Sequence, residues 1–231
     1  MADYIRFNHN EHAKSRAPDD FWGQIRRTVQ GKPVSDEQIQ MIVDAIRRAL
    51  QLKQGDVLLD LACGNGALSR LLFDSIAGYL GVDFSEHLIK VAKQHFEKLP
   101  DYRFIHNGAA EYVRSETRPE YFTKVLCYGS FSYFPQPDAG EVLRTLHDKF
   151  INVQSVFIGN LPDRDRAAEF YKIKPASTEE MSDHASQIGV WRTQAEFAQL
   201  AGTAGWKAAF SVMPPDYYAA HYRYDVLLTR R

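Results

Sequence analysis

Two aspartates and two glycines follow short apolar runs in the first half of the chain, and their spacing suits the binding of a nucleoside. Asp60 lies near the end of the run VLLDL, and Gly64 and Gly66 follow it. Glycine allows a tight turn and leaves no side chain between the backbone and a ligand. Asp83 ends the next apolar run, about 20 residues further on, where α/β sheets place an acid that accepts hydrogen bonds from ribose hydroxyls. These residues predict a site for a ligand with a free ribose diol.

Asp60 also predicts the charge of that ligand. The run from Gly64 to Ser69 reads GNGALS, which matches the dinucleotide pattern GxGxxG only in part, because Ser69 stands at the third small position. A pyrophosphate at the amino end of a helix is destabilised by an acid just upstream. Asp60 therefore favours a positively charged ligand, one that carries an ammonium group and a sulfonium group, over a nicotinamide dinucleotide.

Short apolar strands alternate with amphipathic helices from Gln51 onward, which predicts a parallel sheet covered by helices on both faces. The predicted strands are Val57–Leu61, Tyr79–Phe84, Arg103–His106, Lys124–Cys127, Ser155–Gly159, Ala208–Met213 and Tyr222–Thr229. The predicted helices are Ala67–Phe73, Ser85–Phe96, Asp138–Phe150 and Thr193–Ala204. The last two strands are separated only by a loop, so we expect them to form an antiparallel hairpin.

Residues 1–50 are predicted to form an amino-terminal helical extension or lid, ahead of a domain over residues 51–231. Asp19 and Asp20 are predicted to cap a helix through FWGQIRRTV, and Ser35 with Gln38 has capping-box spacing ahead of IQMIVDAIRRALQL. The polar segment Leu161–Val190 is either a lid or a solvated loop, with a short helix at Arg164–Tyr171.

Composition excludes several classes of function. The chain has 231 residues, of which 45% are hydrophobic and 25% charged, with a net charge of −1 and no long run of Lys or Arg, so we expect no nucleic-acid partner. Cys63 and Cys127 are too few for a disulfide scaffold and lack zinc-site spacing, so no metal and a reduced, cytoplasmic setting are expected. The polar amino terminus predicts no signal peptide and no membrane partner. The oligomeric state is left open.

The sequence LDLACGNG resembles the first motif of class I S-adenosylmethionine-dependent methyltransferases, an acid followed by x-small-x-Gly-x-Gly, and GVDFS resembles their second motif. The order of strands and helices, with its reversed final hairpin, is also similar to that family's sheet. The resemblance covers roughly Gln51 to the end of the chain. It implies a Rossmann-like, seven-stranded, mostly parallel sheet with a C-terminal antiparallel hairpin, and S-adenosylmethionine as the cofactor.

The resemblance also implies roles for individual residues. Residues of the first motif would surround the methionine part of the cofactor, Asp83 would bind the ribose, and Phe84 would lie against the adenine. The family's acid after strand three is absent from HNGAAE (residues 106–111), so either the backbone of residues 108–110 or the side chain of Glu111 would replace it. The expected cofactor-binding residues are Asp60, Ala62, Gly64, Asn65, Gly66, Asp83, Phe84, Gly108, Ala109, Ala110 and Cys127.

Ligands of open α/β sheets bind beyond the carboxyl ends of the strands, which places the methyl acceptor near the loops after strands four, five and six. The loop Pro214–His221 contributes His221, which either acts as a general base or only hydrogen-bonds the hairpin. His9 and His12 are outside candidates for the base, because the amino-terminal arm could fold over the site. The aromatic residues expected to contact the acceptor are Trp22, Tyr128, Tyr133, Tyr217 and Tyr218.

The leading hypothesis is an S-adenosylmethionine-dependent methyltransferase that acts on a small molecule by in-line transfer, at a hydroxyl of a natural-product or sugar-like acceptor. Two alternatives are a nicotinamide-dependent oxidoreductase and a non-catalytic S-adenosylmethionine-binding subunit. Ligand-induced thermal stabilisation would distinguish the first two, because a ligand of the native state raises the melting temperature.

Overall fold

A seven-stranded sheet organises the chain, of which the computed structural model describes residues 9–173 and 177–230. Its strands are β1 (Val57–Leu61), β2 (Gly78–Asp83), β3 (Tyr102–His106), β4 (Lys124–Tyr128), β5 (Ser155–Pro162), β6 (Trp206–Ser211) and β7 (Arg223–Arg230). They lie in the order β3-β2-β1-β4-β5-β7-β6. β7 is antiparallel to both of its neighbours, and the other pairs are parallel. The predicted Rossmann-like sheet with a C-terminal antiparallel hairpin is confirmed.

Side chains alternate between the two faces of the central strands, and helices cover both faces. The helices of seven or more residues are α1 (Asp36–Leu50), α2 (Glu86–Phe96), α3 (Ala109–Ser115), α4 (Gln136–Lys149) and α5 (Gln194–Thr203). Along β4, Val125 and Cys127 join the hydrophobic cluster that contains residues of α3, α4 and α5, whereas Leu126 and Tyr128 join the cluster of α1 and α2. This alternation is the period of two that a strand imposes, and here both faces are apolar because both are buried.

The long helix α1 packs into the core of the sheet. Its Ser35 cap accepts a hydrogen bond from the amide of Gln38, as the capping-box spacing predicts. Ile42 and Ile46 are fully buried in the same cluster as Leu58 of β1. Residues 1–8 of the predicted extension lie outside the described residues, and the division at residue 50 stays a prediction.

The predicted helix through FWGQIRRTV is wrong beyond its first turn. Only Phe21–Gln24 is helical, with Asp20 as its cap. Arg26 takes a positive φ of 54°, which ends the helix, and Thr28–Val29 then pairs antiparallel with Lys32–Pro33. The tight turn of this ladder has positive φ at Gln30 and Gly31, the geometry that two-residue hairpin turns require. β-branched residues before the turn also favour extended chain over helix.

The segment after the glycine turn is also not the predicted α-helix. Residues Ser69–Ser75 form 3₁₀ turns, with the amide of Leu71 donating to the carbonyl of Leu68. The Ser69 hydroxyl donates to the Asp60 carboxylate at the end of β1. This bond holds the first turn of the segment close to the strand, which accounts for its tighter winding.

The segment Leu161–Val190 is neither a detached loop nor one helix. β5 runs on to Pro162 through an irregularity at Asn160, where φ is +64°. A 3₁₀ turn at Arg164–Arg166 and a short α-helix at Ala167–Phe170 follow, close to the predicted short helix at Arg164–Tyr171. Thr178–Ser182 is also helical, and residues 174–176 lie outside the described residues. The end of the segment docks on the turn after β4, where Tyr133 donates to the carbonyl of Gln187 at 2.9 Å. The chain therefore returns over the carboxyl ends of the strands.

Candidate active site

A cavity of about 730 Å³ opens at the carboxyl ends of β1, β2, β4 and β5. Open α/β sheets bind their ligands at this edge, next to the point where strand order reverses. The size of the cavity suits a cofactor together with a small molecule. Its lining divides into a half around the glycine turn and a half rich in tyrosines.

Positive φ angles shape the glycine turn after β1. Ala62, Gly64 and Gly66 have φ of +59°, +60° and +74°. A β-carbon on Gly66 would lie 2.6 Å from the ring of Phe104, and one on Gly64 would lie 2.9 Å from Ile25. Close packing on both sides therefore requires glycine here, and the backbone of Gly64 is left facing the cavity.

Asp83 closes this half of the cavity. Its carboxylate accepts hydrogen bonds from the amides of Gly64 and Ser85, both at 2.8 Å. The side chain is 5% exposed and lines the cavity. Burial raises the pKa of Asp83, and the two amide donors oppose that rise. Each carboxylate oxygen keeps lone pairs beyond its amide bond, so the acid can still accept from a hydroxyl pair.

Asp60 lies deeper, with 3% of its surface exposed. The hydroxyls of Tyr79, at 3.0 Å, and Ser69 donate to its carboxylate. Burial raises the pKa of Asp60 to about 7, against the opposing effect of these hydrogen bonds. Its partners are neutral, so a cation bound in the cavity would stabilise the ionised carboxylate.

The far end of this half is bounded by α3 and the start of α2. Phe84 lines it on one side, and Gly108, Ala109, Ala110 and Glu111 line it on the other. Both alternatives for the missing aspartate, the backbone and Glu111, are therefore within the lining. Glu111 is exposed, which leaves its carboxylate largely solvated.

Three residues predicted to bind cofactor lie outside the cavity lining. Asn65 is fully buried, and its side-chain amide donates to the carbonyl of Phe21 at 2.8 Å and to Gln24 at 2.9 Å. Gly66 packs against Phe104, and Cys127 lies in the core cluster beneath the sheet. Asn65 therefore does not contact the cavity, and its hydrogen bonds to Phe21 and Gln24 instead hold the amino-terminal segment in place over the cavity.

The tyrosine-rich half contains three of the five predicted acceptor residues: Tyr128, Tyr133 and Tyr218. Tyr217 and Trp22 lie outside the lining. The ring of Tyr217 packs on Tyr218 at 4.5 Å between ring centroids, and its hydroxyl lies 3.3 Å from that of Tyr128. Trp22 packs against the cluster of α1 and α2.

His221, the predicted base, does not line the cavity. It is exposed and lies outside the cavity lining, with its ring 4.7 Å from that of Tyr222. The loop emerges at the expected rim, but this side chain turns outward. Tyr222 and Arg223, the next two residues, line the cavity in its place.

Several lining residues were missed by the sequence analysis, and most come from the two segments that cover the cavity: Arg26, Arg27, Asn160, Phe170, His184 and Tyr222. The amino-terminal segment contributes the two arginines because its helix stops early. The irregularity in β5 turns Asn160 toward the cavity, which is a common effect of bulges. No periodicity in the sequence distinguishes these residues from surface ones.

Three histidines line the cavity: His9, His12 and His184. The ring of His9 lies edge-on to Tyr133, 5.3 Å away, and burial lowers the pKa of His9 to about 4. The Nε2 atom of His12 lies 2.9 Å from the carbonyl of Gly23, so that nitrogen is engaged as a donor. The Nε2 atom of His184 is buried without a partner, and its Nδ1 atom lies 3.9 Å from the Asp183 carboxylate.

Residues 9–173 and 177–230 contain neither a membrane-spanning helix nor a cluster of metal ligands. No helix there has the length and apolar character needed to cross a bilayer. No group of three or more His, Cys, Asp or Glu side chains has the arrangement of a metal site.

Residues 58–149 match the family model described as a methyltransferase domain. Two curated relatives, both named ubiquinone biosynthesis O-methyltransferase, are from Nitrosomonas europaea and Nitrosospira multiformis. They are 34% and 29% identical over 83 residues, which is 35% and 36% of this chain and 34% of each relative. The match thus spans about a third of the length of these relatives.

Solved structures cover far more of the chain. The DhpI complex with S-adenosylhomocysteine (SAH) has a TM-score of 0.66 at 13% identity, over 100% of this chain and 97% of that one. A SAM-dependent methyltransferase from Anabaena variabilis has the same TM-score at 16% identity, over 100% and 95%. Magnesium protoporphyrin IX methyltransferase from Synechocystis with bound SAH has a TM-score of 0.64 at 16% identity, over 99% and 97%.

At these identities the structural similarity shows the fold. The matched domain, residues 58–149, contains both sequence motifs: LDLACGNG with the glycine turn, and GVDFS with Asp83. Sheet order, motif geometry and domain match agree. Residues 58–149 of this chain form a methyltransferase domain, and the sheet has the fold of class I S-adenosylmethionine-dependent methyltransferases.

Proposed function

We propose that this protein methylates a hydroxyl oxygen of a small molecule, with S-adenosylmethionine as the methyl donor. The observation that carries the proposal is one cavity that joins the glycine turn and its two buried acids to a tyrosine-rich half. A natural-product or sugar-like acceptor with apolar faces fits such a lining. The relatives named O-methyltransferase support oxygen as the acceptor atom.

The residues around the glycine turn fit this cofactor. Asp60 is a buried carboxylate with neutral partners only, which suits a neighbouring ammonium or sulfonium. Asp83 would accept from the ribose hydroxyls, and Phe84 would lie against the adenine. Ala62 and Gly64 would contact the methionine part through their backbone, and residues 108–110 would border the adenine.

S-adenosylmethionine supplies an electrophilic methyl group, so the protein's part is to align the acceptor and to exclude water. Alignment alone accounts for about 7–11 kcal/mol of barrier in favourable cases. The two covering segments enclose the site: His9 from one and Phe170 and Ile188 from the other line the cavity. The apolar side chains of Phe170 and Ile188 would help to exclude solvent from a bound acceptor.

His184 is our candidate for the general base that removes the hydroxyl proton. The residue lines the cavity, and its Nε2 atom has no hydrogen-bond partner among the described residues, so it is available to accept a proton. The Asp183 carboxylate lies 3.9 Å from the other ring nitrogen, close enough to accept its hydrogen after a small movement. Among the cavity histidines, His12 is engaged and the lowered pKa of His9 makes it a weak base.

Calorimetric titration with SAH, with NADH and with buffer alone tests the proposal. We expect SAH to bind and NADH to give no heat beyond dilution. Binding of NADH without SAH would favour the oxidoreductase alternative. A non-catalytic binding subunit would bind SAH yet transfer no labelled methyl group to any acceptor in a panel of hydroxylated small molecules.

A further inference from the structure

Arg27 is a buried cation with no charged partner among the residues that the structure describes. Its side chain lines the cavity and the residue is only 8% exposed. Two of its guanidinium nitrogens, Nε and Nη1, are buried and have no hydrogen-bond partner within residues 9–173 and 177–230. Its only side-chain contact of note among the described residues is with the ring of Tyr128, whose centroid lies 5.1 Å from Cζ. An unpaired buried charge lowers the stability of the folded protein. A bound anion would offset that cost, so we look for an anionic ligand here.

The surroundings of Arg27 form an open patch at the ends of β4 and β5. Gly129, with φ of +80°, follows β4 and has no side chain. Both Arg27 Nη2 and Asn160 Nδ2 lie 3.5 Å from the point that a β-carbon on Gly129 would occupy. The Oδ1 atom of Asn160 is also buried without a partner. Two hydrogen-bond donors, Arg27 Nη2 and Asn160 Nδ2, therefore meet at one point of the cavity.

The chemistry of this patch fits a carboxylate. The carboxylates that line the cavity, Asp60, Asp83, Glu111 and Asp138, belong to the other strands and helices, and no lysine is among the described lining residues. One guanidinium matches the charge and the two oxygens of a carboxylate, because its paired N–H groups donate in parallel. Arg223 also lines the cavity, but its guanidinium donates to the carbonyl of Asn160, so Arg27 supplies the donor groups that are still available here.

We propose that Arg27, with Asn160 beside it, binds the carboxylate of the methyl acceptor, so that this protein selects small anionic acceptors. The inference rests on the proposed function. β5, which carries Asn160, lies two strands from β1 in the sheet, on the acceptor side of the cavity. S-adenosylmethionine brings a carboxylate of its own, and the experiment separates the two sources.

The test is calorimetric titration of benzoate and of benzamide into protein saturated with SAH. Benzoate and benzamide share a shape and differ in charge. We expect wild type to bind benzoate about 10- to 100-fold more tightly than benzamide, the range that a charged hydrogen bond confers. Arg27→Gln should abolish that preference, and Arg27→Lys should restore part of it. The control Arg48→Gln, at an exposed arginine of α1, should keep the full preference.

The cofactor is tested with SAH and with 5′-methylthioadenosine, which lacks the amino-acid portion. We expect Arg27→Gln to leave the ratio of these two affinities unchanged. If Arg27→Gln removes the advantage of SAH and leaves benzoate binding intact, Arg27 serves the cofactor and the proposal is overturned. Equal binding of benzoate and benzamide by wild type overturns it as well.

Two further measurements keep the result interpretable. If wild type fails to bind SAH, the proposed function is wrong, and the benzoate comparison is then made on the ligand-free protein to test the carboxylate site alone. Arg27→Met should raise the melting temperature of ligand-free protein, because it removes an unpaired buried charge. A fall would show that the guanidinium has a partner in the folded protein and would overturn the assignment.

Discussion

The Asp83 carboxylate accepts a hydrogen bond from the Gly64 amide at 2.8 Å, so the acid at the end of β2 holds the turn that follows β1. Its other oxygen accepts from the Ser85 amide at the same distance. The residue proposed to bind the ribose therefore also shapes the turn proposed to bind the methionine part. Losing Asp83 should affect both stability and cofactor binding.

Asp83→Ala should lower the free energy of unfolding by about 2–4 kcal/mol, because it leaves two buried amides without acceptors. Asp83→Asn keeps one acceptor oxygen and should be less destabilising, yet it should still weaken SAH binding by more than about tenfold. Chemical denaturation and calorimetry give the two quantities. Asp101→Ala, at an exposed acid before β3, is the control. Unchanged SAH affinity in Asp83→Asn would contradict a role in ribose binding.

The raised pKa of Asp60 predicts how stability depends on pH. In the folded protein its pKa is about 7, whereas 3.8 is the ordinary value for an unfolded chain. Between these values the folded state keeps a proton that the unfolded state has lost. The contribution of Asp60 to the free energy of unfolding should therefore fall as pH rises from about 4 to about 7, by at most about 1.4 kcal/mol per pH unit.

Asp60→Asn isolates this contribution, since asparagine keeps the shape and does not titrate. The difference in stability between variant and wild type should change across that pH window and be constant above it. Asp225, whose pKa burial raises to about 6, contributes in the same direction in both proteins and cancels. A difference that is independent of pH would show that Asp60 is ionised throughout.

The sequence predicts correctly those elements that have a simple local signal, such as an apolar run between turn residues or a short connecting loop. β1 was predicted residue for residue, because four apolar positions and one acid are bounded by turn residues on both sides. The antiparallel end of the sheet followed from a loop too short for a crossover. Both results depend on local composition and on chain length alone.

The acceptor half could not be predicted in the same way. Arg26 and Arg27 are adjacent and alike in sequence, yet Arg26 is exposed and Arg27 is buried. That difference arises because the helix stops at Gln24 and the chain bends back over the sheet. His221 and Tyr222 show the same limit, since topology places their loop at the rim but does not say which side chain turns inward.

His184 is the next prediction. His184→Gln should lower kcat by about 10²- to 10⁴-fold with a hydroxylated acceptor that wild type turns over, because it removes the proposed base. SAH affinity should stay the same, because His184 would contact the acceptor and not the cofactor. His221→Gln, which alters an exposed ring outside the cavity, is the matched control and should keep wild-type kcat. Equal kcat in both variants would exclude His184 as the base.

The backbone of the glycine turn yields a matched pair of opposite substitutions. Ala62 has a φ of +59°, a left-handed conformation that costs a residue with a β-carbon about 1–2 kcal/mol. Ala62→Gly relieves that cost but adds backbone freedom to the unfolded chain, so we expect a net gain of about 0.5–1 kcal/mol in the free energy of unfolding.

Gly66→Ala is the reverse exchange at φ of +74°, where the new β-carbon would lie 2.6 Å from the Phe104 ring. Strain and overlap add there, so a loss of more than about 2 kcal/mol is expected. Urea denaturation of both variants tests the pair, and a Gly66→Ala protein as stable as wild type would show that Phe104 moves aside and that this glycine is not required by packing.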